Sequence, residues 1–263
     1  MSFAMCAKKY EKRYVLLAIL SPALLLTAWA LVAQQGWVSS TLLASPWQVL
    51  QATRNLFING YSGVPFSVHL GASLGRVGIA FMLGATLGIG MGLLRAMSRE
   101  VDALWLIPSE ILRPIPQLGL VPIFILWFGI GELSKVLLIL LSVFLVTMVS
   151  AQAGAASTSG DALRAARSLG AERRQMFFYV ILPSALPQIM TGLRVAMGVA
   201  LSILVAAELL GGDRGLGFIV LDATNFFRTS YVFAGVLLIG SIGLATDRAF
   251  VLITRRWVHW HRQ

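Results

Sequence analysis

The chain has 263 residues, of which 57% are hydrophobic and 12% charged, with a net charge of +10 and a mean hydropathy of +0.81. That composition excludes an ordinary soluble domain and leaves room for several membrane spans of about 20 residues each. The basic residues punctuate apolar runs instead of gathering on one soluble face, which argues against a nucleic-acid partner, and the single Cys6 excludes an internal disulfide and any cysteine metal cluster.

Lys8, Lys9, Lys12 and Arg13 make a basic stretch, residues 1–13, ahead of an apolar run over 14–33 that is interrupted only at Ser21 and Pro22. Ala28-Trp29-Ala30 has the small-x-small form of a signal-peptide cleavage site. The run is nevertheless as long as a full span and exceeds a typical signal core, so an uncleaved first transmembrane helix with its N-terminus inside is expected. An external segment, 34–66, follows. Within it Ser45 can cap and Pro46 can open a surface helix whose Trp47, Leu50 and Phe57 lie at the membrane interface.

The rest, 67–253, reads as a core of five further spans. The second span, about Leu70 to Leu94, carries Gly71 and Gly75, then Gly84, Gly88 and Gly92, at intervals of four, a stripe along which another helix can approach closely. Residues 102–128 contain Pro108, Pro114, Pro116 and Pro122, so the third span is kinked or broken. Irregular backbone at membrane depth is tolerated where it is buried in protein or lines a wet cavity, which makes this stretch the expected translocation path. Glu110 and Arg113 either serve that path or neutralise each other at the bend.

Gly129 to Glu132 form an external turn, and the fourth span covers about 133–153. The fifth, about 186–210, opens at Pro187 and repeats Gly192, Ala196 and Ala200 as a packing stripe. Arg194 inside it is expected to snorkel toward the cytoplasm, and Glu208 near its far end faces the substrate route or an external partner, or reaches interfacial water. The glycine-rich loop that follows lacks the Gly-x4-Gly-Lys-Ser/Thr pattern of a nucleotide site, as does the whole chain. A sixth span, about 232–253, precedes a basic tail, 254–263. His69, His259 and His261 lie at span edges or in the tail, no two acids are expected to face each other within the spans, and no catalytic or metal-binding set is expected.

The segment between the fourth and fifth spans, 157–183, holds the longest charged run, Asp161 to Pro183. Ala162, Leu163, Ala166 and Leu169 recur at helical spacing, Ser159 or Asp161 can cap the start, Gly170 can end the helix, and a second short helix should run toward Pro183. On its charges alone this stretch could be a basic loop that fixes topology. With six spans, thirteen Lys and Arg residues fall on the side of this segment and three, Arg54, Arg214 and Arg228, on the other, which places both termini and the segment in the cytoplasm.

The spacing Ala165-Ala166, three residues, Gly170, nine residues, Val180, one residue, Leu182-Pro183 resembles the Glu-Ala-Ala signature of ABC importer permeases. Arg164 stands where that signature carries Glu, and Val180 where it usually carries Ile. The run at 111–144, with its Arg-Pro-x-Pro and Trp-Phe-Gly-Ile-Gly, together with 207–220, looks like the nitrate, sulfonate and taurine branch, and most like its taurine and alkanesulfonate permeases.

The resemblance implies an all-α integral membrane protein of the bacterial inner membrane, a six-transmembrane-helix bundle of the type I ABC importer permease kind with a cytoplasmic coupling helix. It implies that Arg164, Ala165, Ala166, Leu169, Gly170, Ala171, Glu172 and Arg173 meet a separate ATP-binding cassette ATPase. The partners expected are two ATPase copies, which bind the ATP and Mg, a periplasmic or lipoprotein solute-binding protein and a second copy of this chain. No cofactor is expected in the chain itself, and the translocation path is expected at Glu110, Arg113, Pro114, Pro116 and Glu208. A stand-alone channel or secondary transporter is the alternative; the chain shows no clear internal repeat, and a cytoplasmic helix pair would then lack a purpose.

Overall fold

A computed structural model describes residues 2–209 and 212–257, with no side-chain description for residues 1–13. The basic N-terminal side chains, Cys6, the last residue of the expected fifth span, and His259, His261 and Arg262 of the tail therefore lie outside the described residues. Among those described there is no strand; eleven α-helices make up the fold. Five helices are long and apolar enough to cross a membrane, and two more, bent by 87° against each other, make a sixth span if counted together. The chain falls into two compact units, residues 1–66 with 219–236, and residues 67–218 with 237–263.

In the first unit, helix α1 (Ser2–Gln34) contains an apolar span at Leu16–Gln34. Helix α2 (Pro46–Asn59) starts as its sequence requires: Pro46 occupies the first turn, the Gln48 amide donates to Ser45 Oγ at 3.3 Å, and the Ser45 amide donates to Gln48 Oε1 at 2.9 Å. This reciprocal box satisfies two backbone donors that a helix start otherwise leaves free. Val49, Ala52 and Leu56 form its buried face, and Trp47, Leu50 and Phe57 are exposed on the other. The Tyr61 hydroxyl donates to Asp222 Oδ2 at 2.8 Å, and burial together with that acceptor pushes the phenol's pKa above its ordinary value.

The second unit is built on α3 (Phe66–Met97), α6 (Glu132–Ala156), α9 (Leu182–Leu209) and the later part of α11 (Thr229–Trp257). Its core joins Val77, Phe81 and Ala85 of α3 to Leu138, Ile139 and Val143 of α6 and to Ala196, Ala200 and Leu204 of α9. Glycine sets the approach of α3 to α6: a Cβ at Gly84 would lie 2.7 Å from the Leu140 carbonyl, and one at Gly88 2.6 Å from the Phe144 carbonyl. The expected stripe is thus only half used. Gly71 and Gly75 meet nothing within 4 Å, because the helix that closes on α3 does so lower down its length.

The proline-rich third span is broken as expected. Helix α4 (Arg99–Leu112) and α5 (Val121–Phe128) are separated by Pro114, Pro116 and a 3-10 turn at Gln117–Leu120. The second cytoplasmic helix differs from expectation, since it does not stop at Pro183. Helix α8 (Arg173–Met176) runs through a π-helical turn, Phe177–Ile181, straight into α9, giving one apolar rod of 37 residues, Arg173–Leu209. In that turn the Leu182 amide bonds the Phe177 carbonyl, five residues back, which accommodates the donor that Pro183 lacks and the clash its ring would cause in a regular helix.

Candidate translocation and coupling sites

The segment between α6 and α9 is shaped by its caps. Helix α7 (Gly160–Ser168) begins where the Ala162 amide donates to Ser159 Oγ at 3.2 Å. It ends at Gly170, whose φ of +77° is a conformation that costs a residue with a side chain about 1–2 kcal/mol. The Ala171 amide bonds the Ala166 carbonyl at 3.0 Å and the Gly170 amide bonds the Arg167 carbonyl at 2.9 Å, the paired closure of a Schellman motif. Glu172 then caps α8, with its amide donating to Gln175 Oε1 at 2.9 Å, and Arg173 opens that helix.

No residue of α7 is buried, and Leu169 is 88% exposed. Arg164, Ala165, Gly170, Glu172 and Arg173 are all exposed, while Ala166 and Ala171 are half-buried. Arg164 pairs with Asp161 one turn earlier, so the cation at the signature's acidic position is answered within its own helix.

At the far end of the α9 rod the charges are treated in the opposite way. Glu208 is completely buried. Its Oε1 accepts from Arg76 Nη1 at 2.5 Å and from Ser73 Oγ at 2.7 Å, and its Oε2 accepts from the Gly217 amide at 2.8 Å. Arg76 also grips Glu132 at the start of α6, donating from Nε at 2.5 Å and from Nη2 at 2.7 Å, and donates to the Arg214 carbonyl at 2.9 Å. Lys135 lies 3.6 Å from Glu132, so two cations and two carboxylates meet here. Glu208 lies inside the fifth span and Glu132 in the external turn before the fourth, and one buried guanidinium holds both.

The glycine-rich loop packs onto this cluster. The Leu216 amide donates to Ser73 Oγ at 2.9 Å, and the Gly215 amide to His69 Nδ1 at 3.2 Å. Gly215 has a φ of +131° and faces the Glu208 carboxylate where a Cβ would sit; a Cβ at Gly217 would lie 2.8 Å from Glu208 Cβ. The glycines therefore let backbone amides reach a carboxylate. His69, expected at a span edge, is completely buried. Arg76 was the overlooked residue, and its signal was an arginine inside an apolar run, where charge is costly without a partner.

The other expected path residues stand apart from Glu208. Glu110, Arg113, Pro114 and Pro116 are exposed around the break between α4 and α5, and among the described residues Glu110 and Arg113 make no ion pair. Arg95 holds α4 in place by donating to Asp102 Oδ1 at 2.9 Å and Ser109 Oγ at 3.1 Å. Arg194 does not snorkel free; it pairs with Asp247 of α11, with Arg194 Nη2 at 2.9 Å from Asp247 Oδ2. Among the described residues no group of three or more His, Cys, Asp or Glu side chains could hold a metal ion.

Comparison with known proteins shows what the chain is similar to. A family model described as a binding-protein-dependent transport system inner membrane component matches residues 84–259. The taurine transport system permease protein TauC of Escherichia coli (strain K12) is 41% identical over 95% of this chain and 91% of its own. The putative aliphatic sulfonates transport permease protein SsuC of Bacillus subtilis (strain 168) is 36% identical over 96% and 91%. Among solved structures, an amino acid ABC transporter matches at a TM-score of 0.59 and 20% identity, over 73% of this chain and 92% of that one. The inward-facing MetNI methionine ABC transporter matches at 0.55 and 17%, over 83% and 100%. Those two likenesses bear on the fold alone. The chain is a multi-pass membrane protein that belongs to the family of binding-protein-dependent transport system inner membrane components, as an ABC transporter permease of the branch that contains the taurine and aliphatic-sulfonate permeases.

Proposed function

We propose that the chain is the membrane subunit of an ATP-driven importer for a small organic sulfonate, with taurine the first candidate. Two copies would form one central path, each docked through residues 164–173 to one of two ATPase subunits that bind ATP and Mg, with a solute-binding protein delivering substrate from outside. Both termini and α7 would face the cytoplasm of a bacterial inner membrane. The chain itself performs no bond chemistry; it carries force and shape.

The observation that carries this reading is the rod Arg173–Leu209, about 55 Å long at 1.5 Å per residue. One end joins the exposed, glycine-terminated α7, and the other is fixed by the Glu208–Arg76 pair. A push on α7 is delivered to the whole bundle through one continuous helix. Glu110, Arg113, Pro114 and Pro116 would line the path at the broken span, with Glu208 bracing its wall from behind.

The test is ATP-dependent taurine uptake in vesicles holding the full complex, for the parent and for Gly170→Leu. A Cβ at Gly170 meets nothing within 4 Å in this chain, so the substitution costs the subunit only backbone strain, and any larger effect must come from an approaching partner. The expected result is a folded complex that hydrolyses ATP without uptake. Normal uptake by the variant would sink the coupling role, and absence of taurine or alkanesulfonate uptake by the parent would sink the substrate assignment.

A further inference from the structure

The faces that this chain leaves uncovered are not alike. On α3 the exposed positions include Ile79, Leu83 and Leu87, all suited to lipid, while on α11 the exposed Leu237, Leu244 and Leu252 share their stripe with Ser241 and Arg248. On α9 the exposed positions are Ser184, Gln188, Thr191, Arg194, Gly198 and Ser202. At 100° per residue they fall within an arc of about 120°, interrupted by one apolar residue, Val195. From the first to the last they extend about 27 Å along the axis, close to the thickness of a bilayer's hydrocarbon core. The opposite side of the same helix, with Ile189, Ala196, Ala200 and Leu204, is buried in the core.

Ser184, Thr191 and Ser202 return their hydroxyls to carbonyls four residues back, which lets them sit in apolar surroundings. Arg194 and Asp247 have no such retreat. Their side chains are 50% and 35% exposed within two apolar helices, joined by a two-pronged ion pair. An ion pair left half open there is costly against hydrocarbon and stable against water.

We propose that this polar arc of α9 lines the aqueous route of the transported solute, and that Arg194, aimed by Asp247, is the fixed cation that draws a sulfonate group through it. The inference rests on the importer reading for the identity of the solute, and on geometry alone for the access of water. Asp247 is a positioning residue. It holds the guanidinium through Nε and Nη2 and leaves Nη1 with no protein acceptor among the described residues, a donor that an anion's oxygen can take.

The experiment places single cysteines in a Cys6→Ser parent within the complete transporter. Ser184→Cys, Thr191→Cys and Ser202→Cys probe the arc, and Ile79→Cys and Leu83→Cys probe the apolar face of α3. The reagent is the membrane-impermeant, anionic 2-sulfonatoethyl methanethiosulfonate, applied with and without ATP. The arc cysteines should be modified in at least one of the two states and the controls in neither. In Arg194→Asp/Asp247→Arg, which keeps the pair but moves the cation to α11, modification of Thr191→Cys by the anionic reagent should slow roughly tenfold, and modification by a cationic analogue should quicken.

Arc cysteines no more reactive than the controls would overturn the proposal. So would arc cysteines that only cross-link to a second copy, or an unchanged anionic rate in the swapped pair. Failure of the importer reading would show separately, as a Cys6→Ser parent without ATP-dependent sulfonate uptake.

Discussion

The two ends of the rod Arg173–Leu209 treat charge in opposite ways. Around Glu208 each carboxylate oxygen has a donor, the side chain is fully buried, and a loop folds its amides inward to complete the set. Around Arg164 and Glu172 the charges are solvated, the helices are short, and Leu169 stands 88% exposed. A closed set of charges has used its interactions to fix the fold. An open one has kept them available for another protein. The contrast shows which end is anchored, and it is what the proposed coupling role requires of the other.

The largest effect should come from opening the closed end. Glu208→Ala leaves Arg76 with Glu132 alone and takes the acceptor from the Ser73 hydroxyl and the Gly217 amide in a buried site, at about 1–3 kcal/mol for each buried donor left unsatisfied. Thermal unfolding of the detergent-purified protein should report a marked fall in Tm, and an unchanged Tm would show that the cluster holds nothing together. A smaller effect separates two glycines on one helix. Gly88→Ala drives a Cβ to 2.6 Å from the Phe144 carbonyl and should cost about 1–3 kcal/mol by overpacking. Gly75→Ala meets nothing within 4 Å and should leave the isolated subunit equally stable, or more so by up to about 1 kcal/mol of helix propensity. If both fall alike, the seam between α3 and α6 is misplaced. The smallest effect is at the open end, where Arg164→Ala removes an exposed i,i+3 pair and should not move the Tm measurably.

What the sequence made legible follows the range of the interaction. Ser45 with Gln48, Gly170 after Leu169, and the four prolines of the third span act on backbone within a few residues, so cap, stop and break are all readable from order alone. Arg76 with Glu208, 132 residues apart, and Arg194 with Asp247, 53 apart, are chosen by helix packing. One sequence shows that each charge needs a partner without showing which. The glycines at 215 and 217 are the instructive case between the two. Their density marks a tight loop without the phosphate-cradle pattern, and what they allow is the close approach of backbone to Glu208, a residue whose own partners lie far away in sequence. The expected stop at Pro183 is passed for a local reason, since one π-helical turn just ahead of it accommodates the ring and the missing donor.

The central claim is that the open end is built for a separate ATPase. The most direct measurement is to tag the full-length chain in its native host, extract it gently and weigh the co-purifying chains by mass spectrometry. The account predicts an ATPase subunit carrying a phosphate-binding Gly-x4-Gly-Lys-Ser/Thr loop in equal amount, still present when Gly170 is replaced by Leu, the variant expected to hydrolyse ATP without uptake. Recovery of the chain without any ATPase, under conditions that keep a known transporter complex whole, would contradict it and return the stand-alone channel or secondary transporter to first place.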